Sequence, residues 1–109
     1  MERIGEYQEH IKKFGIYPKD QALSYLALGL ASEVGEVTGK LKKIIRDNGG
    51  SMSDDMRRAL KAELGDVAWY LFMLGNEMGL DMKEVLEENV IKLEGRLQRN
   101  KLGGSGDNR

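Results

Sequence analysis

The chain has no cysteine, one histidine, one proline and only 6% aromatic residues. Without cysteine there is no disulfide, thiolate zinc site or cysteine nucleophile, and the lone His10 rules out a multi-histidine metal site within one chain. No stretch approaches the roughly 18 uninterrupted apolar residues of a membrane span, and residues 1–6 carry no apolar leader core, so a cytoplasmic location is expected. Neither sign of charge is in excess. With 17 basic against 18 acidic side chains the net charge is −1, too small to draw in a nucleic acid polymer or an anionic membrane. Glycine, by contrast, is over-supplied: 14 in 109 residues, about twice the usual ~7%. At this length one domain with one modest core is expected, and oligomerisation would help it.

Hydrophobic spacing predicts helices throughout. Ile4, Tyr7, Ile11 and Phe14 mark a first helix over residues 2–14, interrupted by Gly15-Ile16-Tyr17-Pro18. Asp20 is the expected cap of a long second helix carrying Leu23, Leu26, Leu30, Val34, Val37, Leu41 and Ile44 up to the breaker Asp47-Asn48-Gly49-Gly50-Ser51. Ser53 or Asp54 opens a third helix with Leu60, Leu64, Val67, Leu71, Leu74 and Met78, closed by Gly79. Asp81 opens a fourth with Val85, Leu86, Val90, Leu93 and Leu97. The short connections imply an all-α, antiparallel four-helix bundle-like chain, a single domain over residues 1–102 with a Gly-rich tail over 103–109.

A near-repeat carries the chemistry. Leu30-Ala31-Ser32-Glu33-Val34-Gly35-Glu36-Val37 matches Leu60-Lys61-Ala62-Glu63-Leu64-Gly65-Asp66-Val67 at an offset of 30 residues. Each copy sets two carboxylates at i and i+3, neighbours on one helix face beside the apolar stripe. On the fourth helix Asn89, Lys92 and Arg96 occupy the same flank. If the two carboxylate helices pack antiparallel, Glu33, Glu36, Glu63 and Asp66 converge on one half-buried spot. Four like charges in reduced dielectric require a proton or a cation, and all-oxygen ligands specify a hard ion, Mg²⁺ or its substitute Mn²⁺. A di-iron bundle would need Glu-x-x-His pairs, whereas Glu36 and Asp66 stand in the fourth positions. A non-catalytic helical module whose acidic patch recruits a basic partner is the competing reading.

E-x-x-E, a spacer of 26 residues and E-x-x-D together resemble the signature of the all-α nucleoside triphosphate pyrophosphohydrolases, MazG-like proteins in particular. The segments around Glu33, Glu63 and Asn89 look like that family's blocks in order, and Gly104-Ser105-Gly106-Asp107-Asn108-Arg109 looks like the end of its short members. The resemblance implies Mg²⁺-dependent hydrolysis of (d)NTP to (d)NMP and pyrophosphate, as nucleotide house-cleaning, in a helical dimer or dimer of dimers. It makes Glu33, Glu36, Glu63 and Asp66 the metal ligands, one of them orienting the attacking water. Related helical enzymes acting on dUTP or phosphoribosyl-ATP are the alternatives within that superfamily.

Lys92 and Arg96, with Lys40 and more weakly Arg109, are the candidate phosphate clamps. Tyr70 and Asn89 could meet base or ribose, or simply pack. Trp69 lies off the carboxylate flank and reads as packing, His10 as a surface or packing residue, and Met56, Met73, Met78 and Met82 as core filler. The tail has two readings, disorder or a lid over phosphates. Gly29, one turn before Glu33, is expected to leave room for a ligand, and Gly35 and Gly65 to present bare helix backs to another helix or chain.

Overall fold

A computed structural model describes residues 2–100 and 102–107. Helix α1 spans Glu2–His10 and runs into a 3₁₀ turn over Ile11–Phe14. A second 3₁₀ turn over Lys19–Gln21 leads into α2, Ala22–Asn48; α3 covers Asp54–Glu77 and α4 covers Met82–Gln98. No strand occurs among the described residues, and none of their helices is long and apolar enough to cross a membrane.

The ends follow local chemistry, with one correction. Asp20 does not cap α2: it lies inside the 3₁₀ turn that Pro18 initiates, where the Gln21 amide donates to the Pro18 carbonyl at 3.1 Å, and the α2 N-cap is Gln21 with no side-chain cap bond. Gly49 and Gly50, at φ +61° and +83°, end α2 in the left-handed region that only glycine enters freely. Ser53 caps α3 by accepting from the Met56 amide at 3.2 Å, and the Asp81 carboxylate caps α4 by accepting from the Lys83 amide at 3.0 Å.

Helices α2 and α3 make by far the largest contact, an antiparallel hairpin. The core gathers near its open end, where Ile11, Tyr17, Ala22, Leu26 and Met73 are buried and Trp69, Tyr70, Phe72 and Leu74 pack around them. Ile44 and Leu60 are buried near the turn. Helix α4 is held mainly by α1 and does not lie along the hairpin. The four helices are therefore as expected, but a closed bundle does not form within one chain. The radius of gyration is 16.9 Å, against about 13 Å for a compact chain of this length. Much of the predicted core stripe is consequently open: Leu64 is 57% exposed, Leu97 64%, and Met78, expected as core filler, 53%.

One polar residue ties the elements together. Gln8 is buried; its amide nitrogen donates to Asn76 Oδ1 at 2.9 Å and the Leu80 carbonyl at 2.7 Å, and its Oε1 accepts from the Met82 amide at 2.8 Å. The Asn76 side chain in turn donates to the Gln8 carbonyl at 3.0 Å. Gln8→Ala would strand one donor, the Met82 amide, and two acceptors, Asn76 Oδ1 and the Leu80 carbonyl, at the α3–α4 junction. We expect it to destabilise the fold by about 2–3 kcal/mol in urea unfolding, and a loss below ~0.5 kcal/mol would contradict this role.

Candidate active site

The hairpin register sets the geometry. Lys40 Nζ of α2 lies 3.8 Å from Glu63 Oε1 of α3, and Gly29 faces the Tyr70 ring, so residue numbers fall along α2 as they rise along α3. Between these two levels the carboxylates of Glu33, Glu63 and Asp66 each place an oxygen within 4.8 Å of the others. Glu33 and Glu63 are half-buried and Asp66 is exposed. Glu36 is exposed and stands outside this tight group. Sequence spacing put all four together. Residues at i and i+3 diverge by about 60° around a helix, which lets Glu33 face the seam while Glu36 turns toward solvent. Its charge still reaches the site.

Burial pushes the Glu33 carboxyl pKa up, helped by a hydrogen bond with Glu63 and by the charges of Asp66, Glu63 and Glu36. A carboxyl whose pKa rises on folding adds stability that is complete below its ordinary value of 4.5 and is lost as pH rises through the shifted value. Stability of the metal-free protein should therefore fall between 4.5 and the raised value and level off above it, and Glu33→Gln should remove this part of the loss. Thermal melts of both proteins from acid to neutral pH test it. Parallel Tm profiles would refute it.

A crowded set of oxygen donors with a carboxyl forced toward its neutral form fits a hard divalent cation, which would relieve the repulsion without soft or imidazole ligands. Lys40 supplies part of that relief through Glu63.

Tyr70 is half-buried beside the carboxylates. Its ring stands edge-on to Trp69 at 5.0 Å and 89°, and burial, Tyr25 and the Glu33 charge push its hydroxyl pKa up. It also corrects the expectation for Gly29: the space left by the missing side chain is filled by the Tyr70 ring and not kept for a ligand. Trp69 packs against the core, as expected. His10 is exposed, with its ring edge-on to Phe14 at 6.1 Å. Met73 and Met82 are buried.

Sequence reasoning missed Tyr7. Burial and the Asp66 charge push its hydroxyl pKa up, and its ring stands edge-on to Phe72 at 5.3 Å. It reads in the sequence only as part of the first helix's apolar stripe, and no pattern there could have shown that α1 packs against α3 near enough for the Asp66 charge to act on it.

The α4 candidates lie elsewhere in the protomer. Asn89 is exposed and lines an open depression with Val85, Glu88 and Lys92. Lys92 and Arg96 bind Asp107 of the tail, and among the described residues no ion pair or hydrogen bond joins either to Glu33, Glu63 or Asp66. Arg109 lies outside the described residues.

Comparison with known proteins places the chain in a family. The MazG nucleotide pyrophosphohydrolase domain matches residues 21–99, from the start of α2 to the end of α4. The Gene 37 protein of Mycobacterium phage L5 is 40% identical over 109 residues, covering 94% of this chain and 96% of that relative. No solved structure gives a significant match. With the paired acidic motifs inside the matched span and facing one another across its first two helices, the chain belongs to the MazG nucleotide pyrophosphohydrolase domain family.

Proposed function

We propose that the protein hydrolyses nucleoside or deoxynucleoside triphosphates between the α and β phosphates, releasing a monophosphate and pyrophosphate, as a cytoplasmic house-cleaning activity. One observation carries the reading: three carboxylates from the two acidic motifs come within 4.8 Å of one another in a MazG-family chain. Glu33, Glu63 and Asp66 would hold Mg²⁺, or Mn²⁺ in its place, with Glu36 as the fourth carboxylate beside them. The ion supplies Lewis-acid polarisation and a more acidic bound water. The chain's own carboxylates orient the attacking water and accept its proton, while Lys40, Lys92, Arg96 and Arg109 are the groups available to hold phosphate oxygens. Tyr70 and Asn89 are the candidates for base and ribose.

The test is a panel of ordinary and modified (d)NTPs, dUTP and phosphoribosyl-ATP with Mg²⁺ or Mn²⁺, reading pyrophosphate and orthophosphate separately. Pyrophosphate and monophosphate are the expected products. Orthophosphate as the first product contradicts the bond assignment, and no turnover of any nucleotide favours the helical interaction module.

The working unit in this reading is a homo-oligomer, one domain per chain over residues 1–102 with the tail over 103–109. Its support is the open apolar surface of α3 and α4, including Leu64, Ile91 and Leu97, and the bare backs at Gly35 and Gly65, where an added Cβ would meet nothing within 4 Å. A second copy would cover these faces and could bring α4 cations to the carboxylates. Sedimentation at micromolar concentration should give a dimer or tetramer, and a compact monomer would refute this.

A further inference from the structure

Arginine is almost never fully buried unless paired; Arg96 is 5% exposed, and among the described residues its side-chain partners all come from the tail. Its Nη2 donates to the Gly106 carbonyl at 3.4 Å, the Asp107 carbonyl at 3.0 Å and Asp107 Oδ1 at 3.1 Å. Lys92 Nζ, one turn back on the same flank, donates to that same Oδ1 at 3.3 Å. One carboxylate oxygen thus bridges two cations. The Arg96 Nε is buried with no acceptor among the described residues.

A guanidinium presents parallel N–H donors matched to two oxygens of a phosphate or carboxylate. Here one arm is used and Nε is left over, so Asp107 fills the site incompletely. A phosphate group brings more oxygens and more charge, and can accept from Nη2 and Nε together while keeping Lys92. The Asp107 side chain, for its part, is 81% exposed. Ion pairs that open to solvent are weak and exchange readily, but a tethered partner competes at high effective concentration.

We propose that Asp107 is an internal competitor for the Lys92–Arg96 pair, holding the place of a phosphate-class anion and so setting the affinity of α4 for phosphate groups. The inference rests on the reading of Lys92 and Arg96 as phosphate-holding residues and adds what governs their availability. It also opposes the lid expectation: a lid over phosphates strengthens anion binding, whereas a competitor weakens it.

The test is calorimetric titration of the full chain with inorganic pyrophosphate in the absence of divalent metal. Asp107→Asn keeps the backbone carbonyl and a side-chain acceptor but removes the charge, and should bind about three- to tenfold more tightly than the wild type. A chain ending at residue 102 should do the same, which guards against a local defect in the substituted protein. Arg96→Gln should lose binding in both the wild-type and the Asp107→Asn backgrounds. Unchanged or weaker affinity in the Asp107→Asn and shortened chains, absence of binding in every protein, or tight binding that survives Arg96→Gln would overturn the proposal. Nucleotide turnover measured in parallel separates the two readings. Tighter pyrophosphate binding without turnover leaves the competitor standing and removes the enzyme, and turnover with unchanged affinity does the reverse.

Discussion

Asp66→Asn should lower divalent-metal-dependent pyrophosphate release by about a hundredfold or more, with the fold intact. Asp66 is exposed, so exchanging one carboxylate oxygen for an amide nitrogen disturbs no packing. What disappears is one of the three carboxylates gathered within 4.8 Å, and a neutral amide is a far poorer partner for a hard cation. Glu36→Gln makes the informative comparison. Glu36 lies outside the tight group but close enough for its charge to raise the Glu33 pKa. A supporting group of this kind accounts for about 10–100-fold when removed, and the smaller end of that range is expected here. The measurement is kcat by pyrophosphate release at saturating Mg²⁺, with circular dichroism as the control for folding. Asp66→Asn activity within threefold of the wild type would remove this carboxylate from the site.

Gly29→Ala should destabilise the protein by about 1–3 kcal/mol even though alanine favours a helix by about 1 kcal/mol over glycine. The added Cβ would overlap Cε1 of Tyr70 and stand 2.6 Å from both Cδ1 and Cζ. The Tyr70 ring has little freedom to withdraw, because Trp69 meets it edge-on at 5.0 Å and Tyr25 lies beside it. The strain must then part α2 from α3 one turn from Glu33, so metal binding should weaken along with stability. Gly35→Ala, six residues further along the same helix, introduces a Cβ with nothing within 4 Å in the protomer. It separates the local clash from any general intolerance of α2, since in a monomer it can only stabilise. Urea unfolding and Mn²⁺ titration of both variants test this. A neutral or stabilising Gly29→Ala would show that the ring moves freely and does not wedge the hairpin.

The helices were legible because each apolar stripe repeats at helical spacing and each end carries its own signal, as at Ser53, Asp81 and Gly49. Asp20 misled because a capping residue and a 3₁₀-turn residue have the same composition, and Pro18 decided between them through the backbone. The acidic site was legible as a duplicated pair on one flank of two helices. Which carboxylates meet was not, since Glu33 and Glu36 differ by a rotation about the helix axis that only the facing helix fixes. Gly29 illustrates the same limit. Its missing side chain signals close approach, and the sequence has no means of saying that the visitor is Tyr70.

Spacing, capping and the paired E-x-x-E and E-x-x-D motifs by themselves determined an all-helical chain with an oxygen-only acidic centre, because these are properties of single helices and of residue chemistry. The tertiary structure decided the rest. It placed Glu33, Glu63 and Asp66 in one group, brought Tyr7 within reach of the Asp66 charge, tied Lys92 and Arg96 to Asp107, and stood α4 off from the hairpin. Each of these depends on contacts between residues distant in the chain, where packing of one helix against another, and not local preference, fixes what a side chain meets.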